Sequence, residues 1–196
     1  MVERLRAQGI ADPRVLAAMG EIPRERFVPA DVAAQAYEDV PLPIGEGQTI
    51  SAPWIVAFTT EVLRLTDRSH CLEIGTGSGY AAAVLSRCCA TVVTVERHRP
   101  LAERAERVLA EVGCDNVEVR VGNGIHGAAD HAPYDGIAVT AMADRRPPRA
   151  LLDQLAPDGT LVCPVGRRSH GDLIRIRGGR RERLVQVAFV PLVDSD

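Results

Sequence analysis

The nine residues Leu72-Glu73-Ile74-Gly75-Thr76-Gly77-Ser78-Gly79-Tyr80 decide the fold. They follow a short apolar run that begins near His70 and precede the helical run Ala81 to Leu85, so the glycines fall in a strand-to-helix turn. Gly75 and Gly77 allow a tight turn and close backbone approach, and Gly79 is expected to bring the helix near the sheet. Together they leave room for a ligand beside the helix N-terminus.

Outward from this turn, β-branched runs alternate with helical patterns, the signature of βαβ units in a parallel sheet covered on both faces. Strands are expected near 70–74, 91–96, 117–121, 134–140 and 159–165. Leu101, Ala105, Val108, Leu109 and Val112 recur at helical spacing, with Pro100 in the first turn and Gly113 as a left-handed stop, which predicts a helix over 100–112. From Leu173 to Val190 the pattern changes. Ile174 and Ile176 alternate with arginines, Gly178-Gly179 make a turn, and Val185, Val187 and Phe189 share a face, which predicts an antiparallel hairpin. The fold class is therefore α/β, a mainly parallel sheet with an antiparallel C-terminal hairpin.

Before the sheet lie a helical section over roughly residues 2–38, a loop over 41–50 and an amphipathic helix near 52–65. No linker separates them from the rest, so 1–196 reads as a single domain, with 1–66 a helical and substrate-loop section and 67–196 the sheet. The 46% of apolar residues suffices for one core. The 26 acidic and 23 basic side chains are mixed along the chain for a net charge of −3, which argues against a nucleic-acid partner. There is no lysine, which removes Schiff-base chemistry and the lysine of a nucleotide-triphosphate loop. No run approaches the ~18 apolar residues of a membrane span, and the N-terminus lacks an apolar leader. A cytoplasmic protein with no membrane partner is expected, its five cysteines reduced and structural.

The spacing also selects the ligand. A dinucleotide turn wants a small residue at position 80, where Tyr80 stands, whereas acidic-x-G-x-G-x-G is met in full by Glu73, Gly75, Gly77 and Gly79. S-adenosylmethionine has no pyrophosphate but carries an ammonium group, which an acidic residue at the end of the first strand can meet. Glu96 ends the second strand, where a carboxylate can accept from both ribose hydroxyls. Asn123 closes the third strand, either accepting from an adenine amine or serving only as a turn residue. The expected cofactor set is Glu73, Gly75, Thr76, Gly77, Ser78, Gly79, Tyr80, Glu96, Arg97, Asn123 and Gly124.

Ser51 precedes Ala52-Pro53 and an apolar helical pattern, so it reads as a helix N-cap and also as a neutral hydroxyl beside free backbone N–H groups. The motifs I-P-R-E-R-F-V-P at 22–29, the Tyr37 to Ser51 segment, the glycine turn, P-Y-D-G-I-A-V-T-A at 133–141, L-L-D-Q-L-A-P-D-G-T-L-V-C-P-V-G at 151–166 and F-V-P-L at 189–192 occur in this order. By them the chain resembles the protein-L-isoaspartate O-methyltransferase family over nearly its whole length. The resemblance implies a Rossmann-like class I methyltransferase that methylates the free α-carboxylate of isoaspartyl residues in damaged proteins or peptides, whose ester then collapses to a succinimide. It implies Ser51 as the catalytic residue, with Thr49, Ile50, Val139, Thr140 and Ala141 binding substrate. Acting on flexible peptide segments, the protein is expected to be a monomer.

A carboxylate with an ordinary pKa near ~4 is already ionised at neutral pH, so the chemistry needs no general base. Alignment and partial desolvation of the attacking oxygen suffice, and a cation clamped on it would quench it. Departures from the family pattern are Asn123 in place of an acidic residue, Asp144 in place of a proline and Ala52 in place of a glutamine. They keep two other readings open: a relative that methylates an aspartate in a peptide natural product, and a cofactor-binding homologue without turnover. The five histidines lack ligand spacing, and no metal is expected. Trp54 reads equally as an aromatic shelf for the peptide or as a buried side chain, and the hairpin arginines as a solvated edge.

Overall fold

The computed structural model describes residues 1–194. Helices α1 (Val2–Ala7) and α2 (Pro13–Glu21) and two 3₁₀ turns, Arg24–Phe27 and Ala30–Gln35, form the N-terminal section. Asp12 caps α2 by accepting from the Arg14 N–H at 2.8 Å, and Pro13 presets its first turn. Leu5, Met19, Ile22 and Phe27 are buried in the same apolar cluster as the helices that flank the sheet.

Residues 41–50 are a hairpin rather than the expected loop. β1 (Leu42–Gly45) pairs antiparallel with β2 (Gln48–Ile50), and Gly45, Glu46 and Gly47 all have positive φ at the tip. The strands are too short to show an alternation, and Pro43 disguises one of them as a turn. Helix α3 (Pro53–Leu63) follows, and here a second expectation fails: Ser51 does not cap it. Ala52 occupies the cap position, and the Trp54 N–H donates to Asp39 Oδ1 at 2.9 Å, so the capping oxygen comes from fifteen residues upstream.

The sheet proper begins with β3 (His70–Ile74), α4 (Tyr80–Ser86), β4 (Thr91–Glu96), α5 (Arg99–Glu111), β5 (Val117–Val121) and β6 (Tyr134–Val139). A short β7 (Ala143–Asp144), α6 (Arg149–Asp153), β8 (Leu155–Arg167), β9 (His170–Arg177) and β10 (Arg180–Ala188) complete it. The strand order is β10-β9-β8-β6-β3-β4-β5, with β7 beside β8. The run from β8 to β5 is parallel, and the β8-β9-β10 edge is antiparallel. β8 starts earlier than expected because Leu155 already pairs with Tyr134 ahead of a register shift.

α5 buries Leu101, Ala105 and Leu109, and Gly113 at φ 69° ends it as its pattern requires. Helices α3, α4 and α5 share one cluster with Cys71, while Leu72, Ile74 and Leu151 of α6 belong to the cluster on the opposite face. Gly79 also departs from expectation: a Cβ there would meet Ala105 and Leu109 of α5 at 3.1 and 3.4 Å, so the close approach is to a neighbouring helix, not to the sheet. β3 and β6 are neighbours whose chain connections leave in opposite directions, and the crevice outside their carboxyl ends is where such sheets bind ligands. All five cysteines are buried and free. Among the described residues no helix is long and apolar enough to cross a membrane, and no cluster of His, Cys, Asp and Glu could hold a metal.

Candidate active site

The glycine turn sits over that crevice. Gly75, Gly77 and Gly79 have φ of 96°, 53° and 89°, in the region side chains disfavour. A Cβ on Gly75 would run into Thr140 Oγ1, and one on Gly77 would come within 3.3 Å of Ile44 Cδ1. The turn is thus packed between the end of β6 and the β1–β2 hairpin. Thr140 is bound in turn to the β3 end, its N–H donating to Ile74 O at 2.9 Å and its hydroxyl lying 2.9 and 2.8 Å from the carbonyls of Ile74 and Gly75.

Three adjoining depressions meet at Thr140. The largest of the three is lined by Gly75, Gly77, Glu96, Arg97, Asn123, Gly124, Thr140 and Ala141. Glu96 is buried, and its two oxygens accept from Gly77 N at 2.8 Å and His98 N at 2.9 Å. Each keeps a lone pair for a ligand hydroxyl, since a carboxylate offers about four acceptor sites. Asn123 Oδ1 accepts from Ile125 N at 3.1 Å and caps a 3₁₀ turn, so the turn reading of this residue is realised. Gly124 is needed on packing grounds as well, because a Cβ there would strike Ile74 Cγ2.

The second depression joins Ser51 to the glycine turn. Thr49, Ile50, Ser51, Thr76, Ser78 and Thr140 line it beside Gly75 and Gly77, and among the described residues neither a carboxylate nor a guanidinium lines it. Hydroxyls dominate it. Tyr80 touches this space, yet its ring is buried, edge-on to Phe27 with centroids 5.6 Å apart and its hydroxyl 3.6 Å from Met19 Sδ. The third depression is apolar and runs behind Ser51 between Val56, Ala81, Val139 and Phe189.

Glu73 opens onto this third depression and not onto the cleft of Glu96. It is fully buried, Oε2 accepts from Thr94 Oγ1 at 2.6 Å, and Oε1 has no partner among the described residues. Burial drives its pKa from 4.5 to about 8, against the Thr94 hydrogen bond and with help from the Glu96 charge.

Sequence reasoning missed several lining groups. Val190, Pro191, Leu192 and Val193 close one side of the large cleft because Met142 N donates to Val190 O at 2.7 Å and Leu192 N to Met142 O at 2.8 Å. F-V-P-L at 189–192 was the available signal. Gln48 and His98 also line this cleft, whereas Trp54 lines none of the three depressions and stacks on Phe58 with centroids 4.8 Å apart.

Comparison with known proteins finds relatives of one kind over most of the chain. A protein-L-isoaspartate O-methyltransferase of Methanoculleus marisnigri is 53% identical over 198 residues, covering 98% of this chain and 90% of the relative. One from Synechococcus sp. is 58% identical over 164 residues, 84% of this chain and 67% of the relative. Among solved structures, a protein-L-isoaspartate O-methyltransferase matches with a TM-score of 0.86 and 30% identity over 99% of this chain and 66% of that one. A Plasmodium falciparum structure of the same description, in complex with S-adenosyl-L-homocysteine, matches with a TM-score of 0.84 and 26% identity over 98% of this chain and 96% of that one. The fold is that of a class I methyltransferase, and with the family profile matching residues 1–196, the chain belongs to the protein-L-isoaspartate(D-aspartate) O-methyltransferase family.

Proposed function

We propose that the protein, as a single domain, transfers the methyl group of S-adenosylmethionine to the free α-carboxylate of an L-isoaspartyl residue in damaged proteins or peptides. The observation that carries this reading is the hydroxyl-lined depression shared by Ser51 and the glycine turn, with no charged side chain lining it among the described residues. The residues fit the cofactor: backbone without Cβ atoms at Gly75 and Gly77, and a buried carboxylate with spare lone pairs at Glu96. Bound there, the cofactor supplies an electrophilic methyl on a sulfonium and leaves as the neutral thioether.

In this reading Glu96 accepts from the ribose, Arg97, Asn123 and Gly124 border the adenine end, and Thr76 and Ser78 border the amino-acid end. Tyr80 contributes its backbone at the start of α4, since its ring is committed to the core. Ser51 holds the acceptor carboxylate, with Thr49, Ile50 and the strand end Val139-Thr140-Ala141 beside it. No base is needed, because the acceptor is ionised at neutral pH. Hydroxyl donors orient the attacking oxygen while leaving a lone pair directed at the methyl group. Free thiols fit a reducing, cytoplasmic setting.

The test is methyl transfer to an isoaspartyl peptide against the matching aspartyl peptide. A strong preference for the isoaspartyl form is expected, and equal or reversed preference overturns the assignment. Ser51→Ala should lower kcat about tenfold or more while leaving cofactor affinity within about twofold, as for a lost charge-assisted hydrogen bond.

A further inference from the structure

Arg24 is the largest fully buried side chain of the protein, at 0% exposure. Its Nη1 donates to Ala36 O at 2.5 Å, and its Nη2 to Ser51 O at 2.8 Å and, at 3.4 Å, to Val40 O. The guanidinium also lies over the Tyr80 ring, 5.4 Å from its centroid, at the first residue of α4. One side chain therefore ties the segment that ends in Ser51 to the start of the helix that follows the glycine turn. It does so from behind, since Arg24 lines none of the three depressions.

The charge itself is what packing leaves unexplained. Among the described residues no carboxylate lies within 4 Å of Arg24, and its Nε–H has no acceptor. Burial works against the charged form, while Tyr80, Asp39 and Tyr37 act on it only through space. Carbonyl dipoles, one ring face and the more distant Asp39 charge offset part of the cost of a buried cation, and a second anion nearby would offset more. The reaction supplies one. An acceptor carboxylate held by Ser51 would sit one residue's width from the guanidinium, separated from it by the Ser51 peptide group.

We propose that Arg24 is a positioning residue whose charge, held on the Ser51 carbonyl, draws the isoaspartyl α-carboxylate to Ser51 without donating to the oxygen that attacks. This rests on the reading of Ser51 as the acceptor's holder. A guanidinium in direct contact would bind the carboxylate more tightly and blunt its nucleophilicity. One set back by a peptide unit raises affinity and leaves the lone pairs free. Arg24 thus supplies selectivity for a charged acceptor in a pocket whose own lining is neutral.

The test pairs an isoaspartyl peptide with the same peptide carrying an α-carboxamide, both measured as competitive ligands of the cofactor-loaded enzyme. Methyl transfer by the unmodified protein checks the underlying reading first. If that protein does not methylate the isoaspartyl peptide, the functional assignment fails and not the role of Arg24 alone. In Arg24→Gln the preference for carboxylate over carboxamide should fall roughly 15- to 50-fold, as for unit charges about 7–10 Å apart at an effective dielectric near 20. The loss should appear in KM more than in kcat, with cofactor affinity unchanged. Arg24→Lys should keep most of the preference at neutral pH. Equal weakening of both peptides in Arg24→Gln, or loss of the preference in Arg24→Lys with the cofactor still bound, would make Arg24 a structural tie and overturn the proposal. Should Arg24→Gln not fold, Arg24→Lys still decides: a buried ammonium loses its proton more readily than a guanidinium, so its preference should decline at alkaline pH where that of the unmodified protein holds. Parallel pH profiles overturn the idea.

Discussion

Replacing Glu73 by glutamine should make the protein more stable at pH 8 and remove a slope from its stability profile. The carboxyl is fully buried on the sheet face under α3 and α4, with one oxygen bound by Thr94 and the other unpartnered. Its pKa is raised from 4.5 to about 8, chiefly by burial. Between those values the folded protein holds a proton that the unfolded chain has released. Its stability is therefore complete below about pH 4.5, falls as pH rises, and levels off above about pH 8. A tenfold change in proton affinity is worth about 1.4 kcal/mol, so the full window spans at most about 5 kcal/mol, and relaxation around a charged carboxylate will reduce that to a few.

Glutamine keeps the shape, offers an oxygen to Thr94 and cannot ionise. At pH 5 the two proteins should match within about 1 kcal/mol, because the substitution then exchanges one neutral group for another. At pH 8 the variant should melt higher by roughly 5–15 °C, taking a few kcal/mol at about 2–4 °C each for a domain of this size. Denaturant titrations at half-unit intervals from pH 5 to 8.5 measure the difference directly. Parallel profiles for the two proteins would falsify the assignment of a neutral Glu73 in the free enzyme.

Other outcomes follow from the same contacts. Gly77→Val should abolish cofactor binding measured by calorimetry, because its Cβ begins 3.3 Å from Ile44 at a φ of 53° and the branched side chain fills the turn; retained affinity would mean the cofactor lies elsewhere. Gly75→Ala should destabilise by about 2–4 kcal/mol, combining left-handed strain with a clash on Thr140 Oγ1. Adding Thr140→Ala should return part of that loss in a double-mutant cycle, and strict additivity of the two changes would contradict the contact. Asp39→Ala should cost about 1 kcal/mol by removing the oxygen that caps α3, whereas Ser51→Ala should cost less than half of that.

Much of this architecture was legible from periodicity, and the failures share a cause. Strands 70–74, 91–96 and 117–121 fall where the β-branched runs place them, because the composition of such strands is decided locally by the faces they bury. The 42–50 hairpin escaped because three or four residues cannot display a period. The Ser51 cap was wrong because a distant carboxylate outcompeted a local hydroxyl, and sequence order does not show that Asp39 returns to the start of α3. The glycine pattern shows a close approach at Gly79, but that its partner is on α5 is a tertiary fact. Nothing in I-P-R-E-R-F-V-P distinguishes the buried Arg24 from the half-exposed Arg26 two residues later.

The positions of these groups also explain why the site combines a neutral lining with ionisable groups held out of reach. A carboxylate acceptor is a weak nucleophile that strong hydrogen bonding weakens further, so its immediate partners should be hydroxyls and amides. A neutral pocket alone, however, would not prefer an anion over the uncharged side chains of an ordinary peptide. Setting the Arg24 charge behind the Ser51 carbonyl separates the two demands. Moving that charge forward should improve binding of the acceptor at the expense of turnover. Ser51→Arg should therefore bind the isoaspartyl peptide at least as tightly as the unmodified protein while lowering kcat by about a hundredfold, and a tight, fully active Ser51→Arg would show that distance from the charge does not govern the rate.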